Sequence, residues 1–393
     1  MRTRIDGSWG RSLALAMAVA GLAVAEGAAA TRPPALAGSW YPDGRARLLS
    51  AAHYLMRTAS GVPRLGGRPV AFVVPHAGWN YSGLAAAAAY QQLRPGDFDR
   101  VVVVAPSHHG AFRGYALDDV AAYRTPLGEV PLCKGVRDTL SSEVARVVPG
   151  VTGPEHAVEI ELPFLQAALG EFCLVPVLAG NTDARIQSAF AERLARLDDG
   201  RTLFVFSSDF AHYGPRFGFE PFGAMSAETR RKIRELDDRA VTLLEERDAD
   251  GFRAYLRETG NTICGRHGLA TLLELLERIA PRARATLLAH YASADLPGQD
   301  DTGSVTYVTL GYVRPPAGEA NGVAPGPGTP LLELPPVDTV AADTPRVTDE
   351  LGRRLVRLAR ATLETELRGT GDLGGALAEW PRDPAQEARQ GVF

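Results

Sequence analysis

Three short apolar runs along the chain are each followed by polar side chains that can bind metals. His76 follows Val-Ala-Phe-Val-Val, His108 follows Val-Val-Val-Val-Ala, and Asp209 and His212 follow Leu-Phe-Val-Phe. Continuous apolar runs of this length are typical of strands that are buried on both faces, as in a parallel sheet covered by helices. Because sites in such sheets gather at the carboxyl ends of the strands, the pattern predicts a single polar site at one edge.

The rest of the domain alternates between strand-like and helix-like segments, which predicts an α/β fold with a central, mostly parallel sheet and helices on both sides. The strands are predicted at Val70–Val74, Val101–Ala105, Ala116–Tyr123, Cys173–Leu178, Leu203–Ser207, Ala285–His290 and Ser304–Val313. The helices are predicted at Ala46–Thr58, Gly83–Leu93, Val136–Val148, Ala157–Leu169, Ala184–Leu197, Ala227–Arg247 and Thr262–Ile279. The last two strands have no helix between them, so we expect an antiparallel edge.

Composition divides the chain into four segments. Residues 1–31 have basic residues before a short apolar stretch and small residues after it, which is typical of a secretory signal peptide. We therefore expect a periplasmic or secreted protein, with a cytoplasmic one as the alternative. The apolar stretch is too short for a stable membrane span. Residues 32–314 form the predicted α/β domain, 315–346 are a Pro/Gly-rich linker, and 347–393 are expected to be the truncated start of a second domain.

Charge and motifs exclude several classes of function. The net charge is −4, from 42 basic and 46 acidic residues, and no basic tract is visible, so nucleic acid is not an expected partner. The chain has no phosphate-binding loop, no dinucleotide-binding glycine fingerprint and no nucleophile elbow. Its three cysteines, Cys133, Cys173 and Cys264, are too few and too odd in number to predict a disulfide framework.

His76, His108 and Cys264 are the candidate metal ligands. Imidazole and thiolate suit copper, iron and zinc. Cys264 opens a predicted helix, whose amino-terminal dipole would favour the thiolate. Three protein ligands would leave one coordination position open for substrate, water or dioxygen. Taken singly, such a histidine is more often a hydrogen-bonded structural residue and such a cysteine a small hydrophobe, so the prediction depends on their convergence.

Asp209 and His212 are the candidate acid/base pair. Imidazole has an ordinary pKa close to neutral and can move protons beside a metal. Asp209 is three residues from His212 and is expected to hold its ring by a hydrogen bond.

Other polar residues are predicted to line the pocket or to orient the ligands. His109 points away from His108 on an extended segment. His267 shares a helix face with Cys264, and His156 and Glu159 have the same spacing. The alternative for the last two is a helix start at which the acidic residues complement the dipole. The remaining histidines, at positions 53 and 290, are interpreted as structural.

At these residues the chain resembles the Memo family, whose bacterial members are often called AmmeMemoRadiSam system protein B. The resemblance runs in order from about residue 32 to residue 313. It is carried by Ala37-Gly38-Ser39-Trp40-Tyr41-Pro42, Pro75-His76-Ala77-Gly78-Trp79, Pro106-Ser107-His108-His109, Tyr123-Arg124-Thr125-Pro126-Leu127-Gly128, Glu155-His156-Ala157-Val158-Glu159, Ser207-Ser208-Asp209-Phe210-Ala211-His212 and Thr262-Ile263-Cys264-Gly265-Arg266-His267.

The resemblance implies a fold like that of the class III extradiol dioxygenases, which use non-haem iron. It places the metal ligands at His76, His108 and Cys264 and the neighbouring polar pair at Asp209 and His212. The thiol stands where the dioxygenases have a carboxylate, which softens the site toward copper. The implied function is a copper- or iron-dependent redox enzyme, with zinc as a further metal and an unknown small-molecule substrate. The alternative is a non-catalytic module that binds a peptide or a small molecule in the same pocket.

The tail from residue 348 resembles the start of the AMME chromosomal region family. Leu358-Ala359-Arg360-Ala361-Thr362-Leu363-Glu364 and Gly391-Val392-Phe393 carry this second resemblance. It implies a functional link of the main domain to an AMME-type domain and to a radical SAM protein.

Overall fold

The computed structural model describes residues 30–296 and 302–315. These residues form a mixed α/β fold in which helices flank a large, mostly parallel sheet, as predicted. The signal-like segment, nearly all of the linker and the tail lie outside the described residues, so the predictions made for them stay predictions. Within the described residues, no helix combines the length and the apolar character that a membrane crossing requires.

The strands are β1 Thr31–Arg32, β2 Pro69–Val74, β3 Arg100–Pro106, β4 Tyr115–Leu117, β5 Ala122–Thr125, β6 Gly128–Pro131, β7 Ala145–Val147, β8 Cys173–Ala179, β9 Thr202–Ser207, β10 His212–Tyr213, β11 Arg284–Ala292 and β12 Ser304–Val313. The α-helices are α1 Arg45–Thr58, α2 Trp79–Tyr90, α3 Val136–Leu140, α4 Leu162–Leu169, α5 Ala184–Ala195, α6 Ala227–Glu246, α7 Ala249–Thr259 and α8 Arg266–Ile279.

The centre of the large sheet is parallel. Its strands run in the order β10-β12-β2-β9-β3-β8-β4-β7, and β2, β9, β3 and β8 are parallel neighbours. The last two strands are antiparallel to each other, as expected, but β12 also pairs with β2 and therefore lies inside the sheet rather than at its edge. A smaller sheet of β1, β5 and β6 completes the strand set.

Both faces of the central strands are buried. Val102 and Val104 of β3 and Phe204 and Phe206 of β9 join the apolar cluster that includes residues of α5 to α8. The intervening residues of both strands are also buried, while α2 packs against β2 and β12 and α1 and α4 pack against α2. This two-sided burial is the reason for the continuous apolar runs in the sequence.

Two element predictions were wrong. The strand predicted at Ala116–Tyr123 is two short strands in different sheets, β4 and β5. The chain turns between them at Asp118, whose buried carboxylate accepts hydrogen bonds from the Asp119 N–H (2.8 Å) and the Tyr123 hydroxyl (2.7 Å). The helix predicted at Val136–Val148 ends at Leu140, because the chain then becomes extended and β7 pairs with β4.

Other helices also differ from the prediction. Helix α2 begins at Trp79, so Ser82 lies inside its first turn, where its hydroxyl donates to the Ala77 carbonyl (2.8 Å). Helix α8 begins at Arg266, after Cys264 instead of before it. Helix α7 was not predicted as a separate element; Asp248 caps it by accepting from the Gly251 N–H (2.8 Å).

Two of the three cysteines form a disulfide that the sequence did not predict. Cys133 and Cys173 form a disulfide across 40 residues of chain, and Cys264 is the free thiol. Cys133 follows β6, and its backbone N–H donates to the Leu174 carbonyl (2.9 Å), which brings it beside the first residue of β8. This long-range pairing places the two thiols together, so their number and spacing in the sequence could not reveal it.

We expect the double replacement Cys133→Ser/Cys173→Ser to lower the free energy of unfolding by about 2–4 kcal/mol, because the open chain regains the entropy of a closed loop. Urea denaturation of the purified protein would measure this. Reduction of the wild-type protein should give a similar loss, whereas a variant as stable as the oxidised protein would show that the crosslink contributes nothing.

Candidate metal centre

The ends of three adjacent parallel strands define the candidate site. Strand β9 pairs with β2 on one side and with β3 on the other. His76 lies just past β2, His108 just past β3 and Asp209 just past β9. The structure therefore brings these sequence-predicted residues to one edge of the sheet, as expected for the carboxyl ends of parallel strands.

His76, His108 and Cys264 come close enough for their side chains to share one ion. One potential ligand atom of each lies within 4.8 Å of the others. The Cys264 Sγ is 3.2 Å from His76 Nε2, and the His76 and His108 rings are 5.2 Å apart, edge to face. Ligands of a single ion, with metal–ligand bonds of about 2.0–2.3 Å, lie no more than roughly 4 Å from each other. A small movement of the three side chains toward each other would bring their ligand atoms within this distance.

Cys264 reaches the site because a glycine follows it. A Cβ on Gly265 would lie 2.4 Å from Ser208 Cβ and 2.9 Å from the Ser207 carbonyl oxygen, so a larger residue would push the segment away from the end of β9. This close passage lets the Asp209 N–H donate to Cys264 Sγ at 3.2 Å.

Protonation of the cluster differs from the sequence-based expectation at the thiol. Burial, and then the positive charges of His108, His156 and His212, hold the pKa of His76 well below its usual range, so its ring is neutral. Although Cys264 keeps some exposed surface, burial of its thiol and then the negative charge of Asp209 raise its pKa. The net lowering expected from a helix dipole is therefore not seen, because burial and the charge of Asp209 act in the opposite direction. A metal that bound there would have to displace the thiol proton.

A buried chain of hydrogen bonds sets the orientation of His76. Its Nδ1 is 2.8 Å from the Ser207 hydroxyl, which in turn lies 2.8 Å from the Ala157 carbonyl and 3.0 Å from Glu161. The Tyr90 hydroxyl donates to the other oxygen of Glu161 (2.7 Å). If Ser207 donates to the carbonyl, Nδ1 must carry the proton, which leaves the lone pair on Nε2 facing Cys264.

Glu155 is a site residue that the sequence analysis missed. It is fully buried; its carboxylate accepts from the His108 N–H (2.7 Å) and lies 2.8 Å from His108 Nδ1. Burial alone would raise its pKa, but the hydrogen bonds and charge of His108 and the backbone N–H of Ala157 outweigh burial and lower the pKa to about 2. Glu155 is therefore ionised and fixes the orientation of the His108 ring. The signal that could have found it is a run of three acidic residues (155, 159 and 161) in an otherwise apolar segment.

His156 lies beside the cluster. Its ring stacks on that of His108 with 4.4 Å between centroids, and burial, followed by the charge of His108, lowers its pKa to about 4. His108, Glu155 and His156 form a second group with ligand-type atoms within 4.8 Å. Because Glu155 already accepts bonds from His108 and from backbone N–H groups, the first group is better suited to hold an ion.

Glu159 has a different surrounding. It is buried and accepts bonds from the Ala35 N–H (2.9 Å), the Leu36 N–H (2.8 Å) and the Tyr41 hydroxyl (2.8 Å). These bonds connect the start of the domain to the segment before α4. None of them involves a residue of the ligand cluster. Helical structure begins at Glu159, with Glu159 and Glu161 in its first turn, which agrees with the alternative of a helix start for Glu159.

His109 and His267 lie further out. His109 is exposed, and its ring meets that of His156 at 6.1 Å. His267 Nδ1 is 3.0 Å from the Thr182 hydroxyl, which ties α8 to the loop after β8. The two histidines interpreted as structural are an exposed one, His53 on α1, and a buried one, His290, at 3.1 Å from Asp238.

Asp209 and His212 are both at the site, but they do not form the predicted hydrogen bond with each other. Asp209 accepts from the His76 N–H (2.8 Å), and burial raises its pKa. The ring of His212 is held by the Phe210 carbonyl, 2.9 Å from Nδ1, and by the Thr262 carbonyl at 3.2 Å. Carbonyls only accept, so Nδ1 carries the proton and Nε2 is free to accept one.

A cavity of about 450 Å³ adjoins this cluster. Its lining includes Trp40, Gly78, Asn80, Tyr81, Arg216 and Tyr307. Such a volume is within the range of small-molecule sites.

Comparison with known proteins gives a consistent result. A family model described as Memo-like protein matches residues 32–311. Protein MEMO1 of Danio rerio is 32% identical over 250 residues, which cover 62% of this chain and 83% of that protein. Protein memo-1 homolog of Caenorhabditis elegans is 31% identical over 288 residues, with coverage of 71% and 81%. A solved structure, uncharacterized protein JW3007 from Escherichia coli K12, aligns with a TM-score of 0.42 at 15% identity and covers 62% of this chain and 99% of that one.

The buried Glu161 generates a prediction about pH. Burial raises the pKa of its carboxyl from 4.5 to about 8, although hydrogen bonds from Tyr90 and Ser207 act in the opposite direction. Because the folded-state pKa is the higher one, the folded protein binds an extra proton between these values, and the resulting stability is lost as the pH rises from about 4.5 to about 8.

We expect Glu161→Gln to lose less stability than wild type across this window, since the amide has no proton to release. Urea denaturation at about pH 5 and about pH 8 would compare the two. The exposed carboxyl replacement Glu143→Gln is the matched control and should follow the wild-type curve. Parallel curves for wild type and Glu161→Gln would refute the interpretation.

Proposed function

The chain belongs to the Memo-like protein family, and we propose that it is a redox enzyme that works with one copper or iron ion bound by His76, His108 and Cys264. The observation that carries the proposal is the convergence of two imidazoles and one thiol at the edge of the sheet, beside a cavity large enough for a small molecule. The substrate is a small molecule whose identity is open.

The donor set favours a redox-active ion. A thiolate is a soft ligand and suits copper(I), while imidazole suits copper, iron and zinc, so zinc is the further metal to consider. Three protein ligands leave room for a substrate atom. When bound, the ion would supply electron transfer to or from that substrate.

Residues around the ligands support this function. Glu155 orients His108, and Ser207 orients His76, so each imidazole is held through the nitrogen that would not face the ion. Such outer partners typically change metal affinity about 10–100-fold when they are replaced. The neutral state of His76 favours binding, because only the neutral ring has a free lone pair.

His212 is the proposed proton-transfer residue. With Nδ1 held by backbone carbonyls, its Nε2 can take a proton from a substrate and return it. Its backbone N–H donates to the Thr262 hydroxyl at 2.7 Å, two residues before Cys264, which supports a position beside the cluster.

The location of the protein is also a proposal. A signal-like start and a disulfide between Cys133 and Cys173 both favour an exported protein, because disulfides persist in oxidising compartments. The link to a radical SAM protein and an AMME-type domain depends on the tail, outside the described residues, and stays a prediction.

We expect the purified wild-type protein to bind one equivalent of copper or iron and His76→Ala and Cys264→Ala to lose it. Glu155→Gln should retain the ion with about 10–100-fold lower affinity, because the His108 ring is then less firmly oriented. Metal analysis and competition with a chelator would measure both effects. The exposed His53→Ala is the control and should bind as wild type does. Stoichiometric metal in both ligand variants would refute the site.

We expect His212→Ala to keep the metal and the fold but to lose about 10²–10⁴-fold in turnover, the usual contribution of a general acid or base. Oxygen consumption by copper- or iron-loaded protein with a panel of phenols, thiols and other reductants would measure it. Full turnover in this variant would assign His212 to structure, and loss of metal would make it a ligand. If wild type is inactive with every reductant but binds a ligand independently of metal, the non-catalytic binding module is the better description.

A further inference from the structure

Among the described residues that line the cavity beside the cluster, one side chain is charged. Arg216 lies on one side, and the other lining residues are neutral, with aromatic rings from Trp40, Tyr81 and Tyr307. The cavity therefore combines flat apolar surfaces with a single fixed positive charge. Aromatic faces favour a planar ligand, and a guanidinium favours a carboxylate or another anion.

Both sides of the cavity lead to the candidate metal centre. Trp40 contacts His156 with 4.8 Å between ring centroids, and His156 is stacked on His108. On the other side, Arg216 lies over the Phe217 ring at 4.5 Å, and that ring meets His212 at 5.2 Å. Ala77 and Gly78, which directly follow His76, line the cavity between these sides. The lining of the cavity is therefore connected to His108 through His156 on one side and to His212 through Phe217 on the other.

Among the described residues, Arg216 has no carboxylate partner for its charge. In the part of the chain that the structure describes, no carboxylate forms an ion pair with it, and its contact is the stacking on Phe217. Arg100, by contrast, forms an ion pair with Asp199 at 3.0 Å. The exposed guanidinium of Arg216 is therefore free to bind an anion from solution.

We propose that this cavity binds a small aromatic monocarboxylate, with its carboxylate on Arg216 and its ring among Trp40, Tyr81 and Tyr307. A single guanidinium matches one negative charge, whereas phosphate groups are usually held by several cations, and the described lining residues include no second cation. The proposal rests on the proposed function only in that it makes this ligand the substrate of the metal centre; the binding itself requires no metal.

The test compares 4-hydroxybenzoate with 4-hydroxybenzamide, which has nearly the same shape but no charge. Isothermal titration of full-length protein, once stripped of metal and once loaded with copper, gives both affinities. We expect wild type to bind the carboxylate about ten-fold or more tightly than the amide, in line with a hydrogen bond to a charged group. Arg216→Gln should reduce the affinity for the carboxylate to that for the amide.

Two further variants locate the effect. Arg146→Gln makes the same charge change on β7, at the opposite edge of the sheet, and should leave both affinities unchanged. Tyr81→Ala should weaken both ligands to a similar degree, because it removes a ring contact and no charge. Equal binding of the two ligands by wild type, binding of neither, or an unchanged preference in Arg216→Gln would overturn the proposal.

The metal arm separates this proposal from the proposed function. A preference for the carboxylate that depends on Arg216 in metal-free protein supports the cavity proposal, even if no redox metal is bound by His76 and Cys264. Loss of the preference in both arms, with metal binding intact, would remove the substrate class and leave the metal site standing.

Discussion

The burial of three acidic side chains in one short segment, Glu155 to Glu161, is the constraint on which the site depends. A buried carboxylate is costly unless hydrogen bonds satisfy it. Glu155 is satisfied by His108, Glu159 by the start of the domain, and Glu161 by Tyr90 and Ser207. Each of these partners belongs to a different part of the chain, so the segment fixes several elements at once. Through Ser207 and His108 it also determines which ring nitrogens of the ligand histidines face the centre of the site.

The burial of the cluster residues themselves also sets their charge states. It keeps His76 neutral and raises the pKa of the Cys264 thiol, while Glu155 stays ionised because its hydrogen bonds outweigh the cost of burial. The metal-free site therefore has a neutral His76 ring and a thiol that still carries its proton. Metal binding at such a site releases a proton and depends on pH.

The proposed metal centre has a cavity on one side. The helices and the sheet cover it on the inner side, and the cavity next to Trp40 and Arg216 opens beside it. His212 belongs to β10, which pairs with β12 at Val305, and Val305 lines the cavity. The proposed proton-transfer residue, the proposed metal ligands and the cavity thus belong to neighbouring elements at one edge of the sheet.

The sequence by itself determined the architecture and the approximate location of the site. Apolar runs buried on both faces are visible as uninterrupted runs, and strand ends follow from them, so His76, His108 and Asp209 could be assigned to one edge. Local turn chemistry was harder to read: the Asp118 turn divided one predicted strand, and the pairing of β7 with β4 replaced part of a predicted helix. In the first case a turn overrode the local strand propensity, and in the second a strand pairing overrode the local helix propensity.

Only the tertiary structure decided what depends on long-range contacts. The disulfide between Cys133 and Cys173, the role of Glu155, and the Thr262 carbonyl that contacts His212 all join residues whose proximity is not encoded in local spacing. The pKa of Cys264 is a further example, since the sequence suggested a helix dipole and the fold supplied burial instead. Periodicity reports which side chains are buried, but hydrogen-bond partners and charge environments are set by how the elements pack.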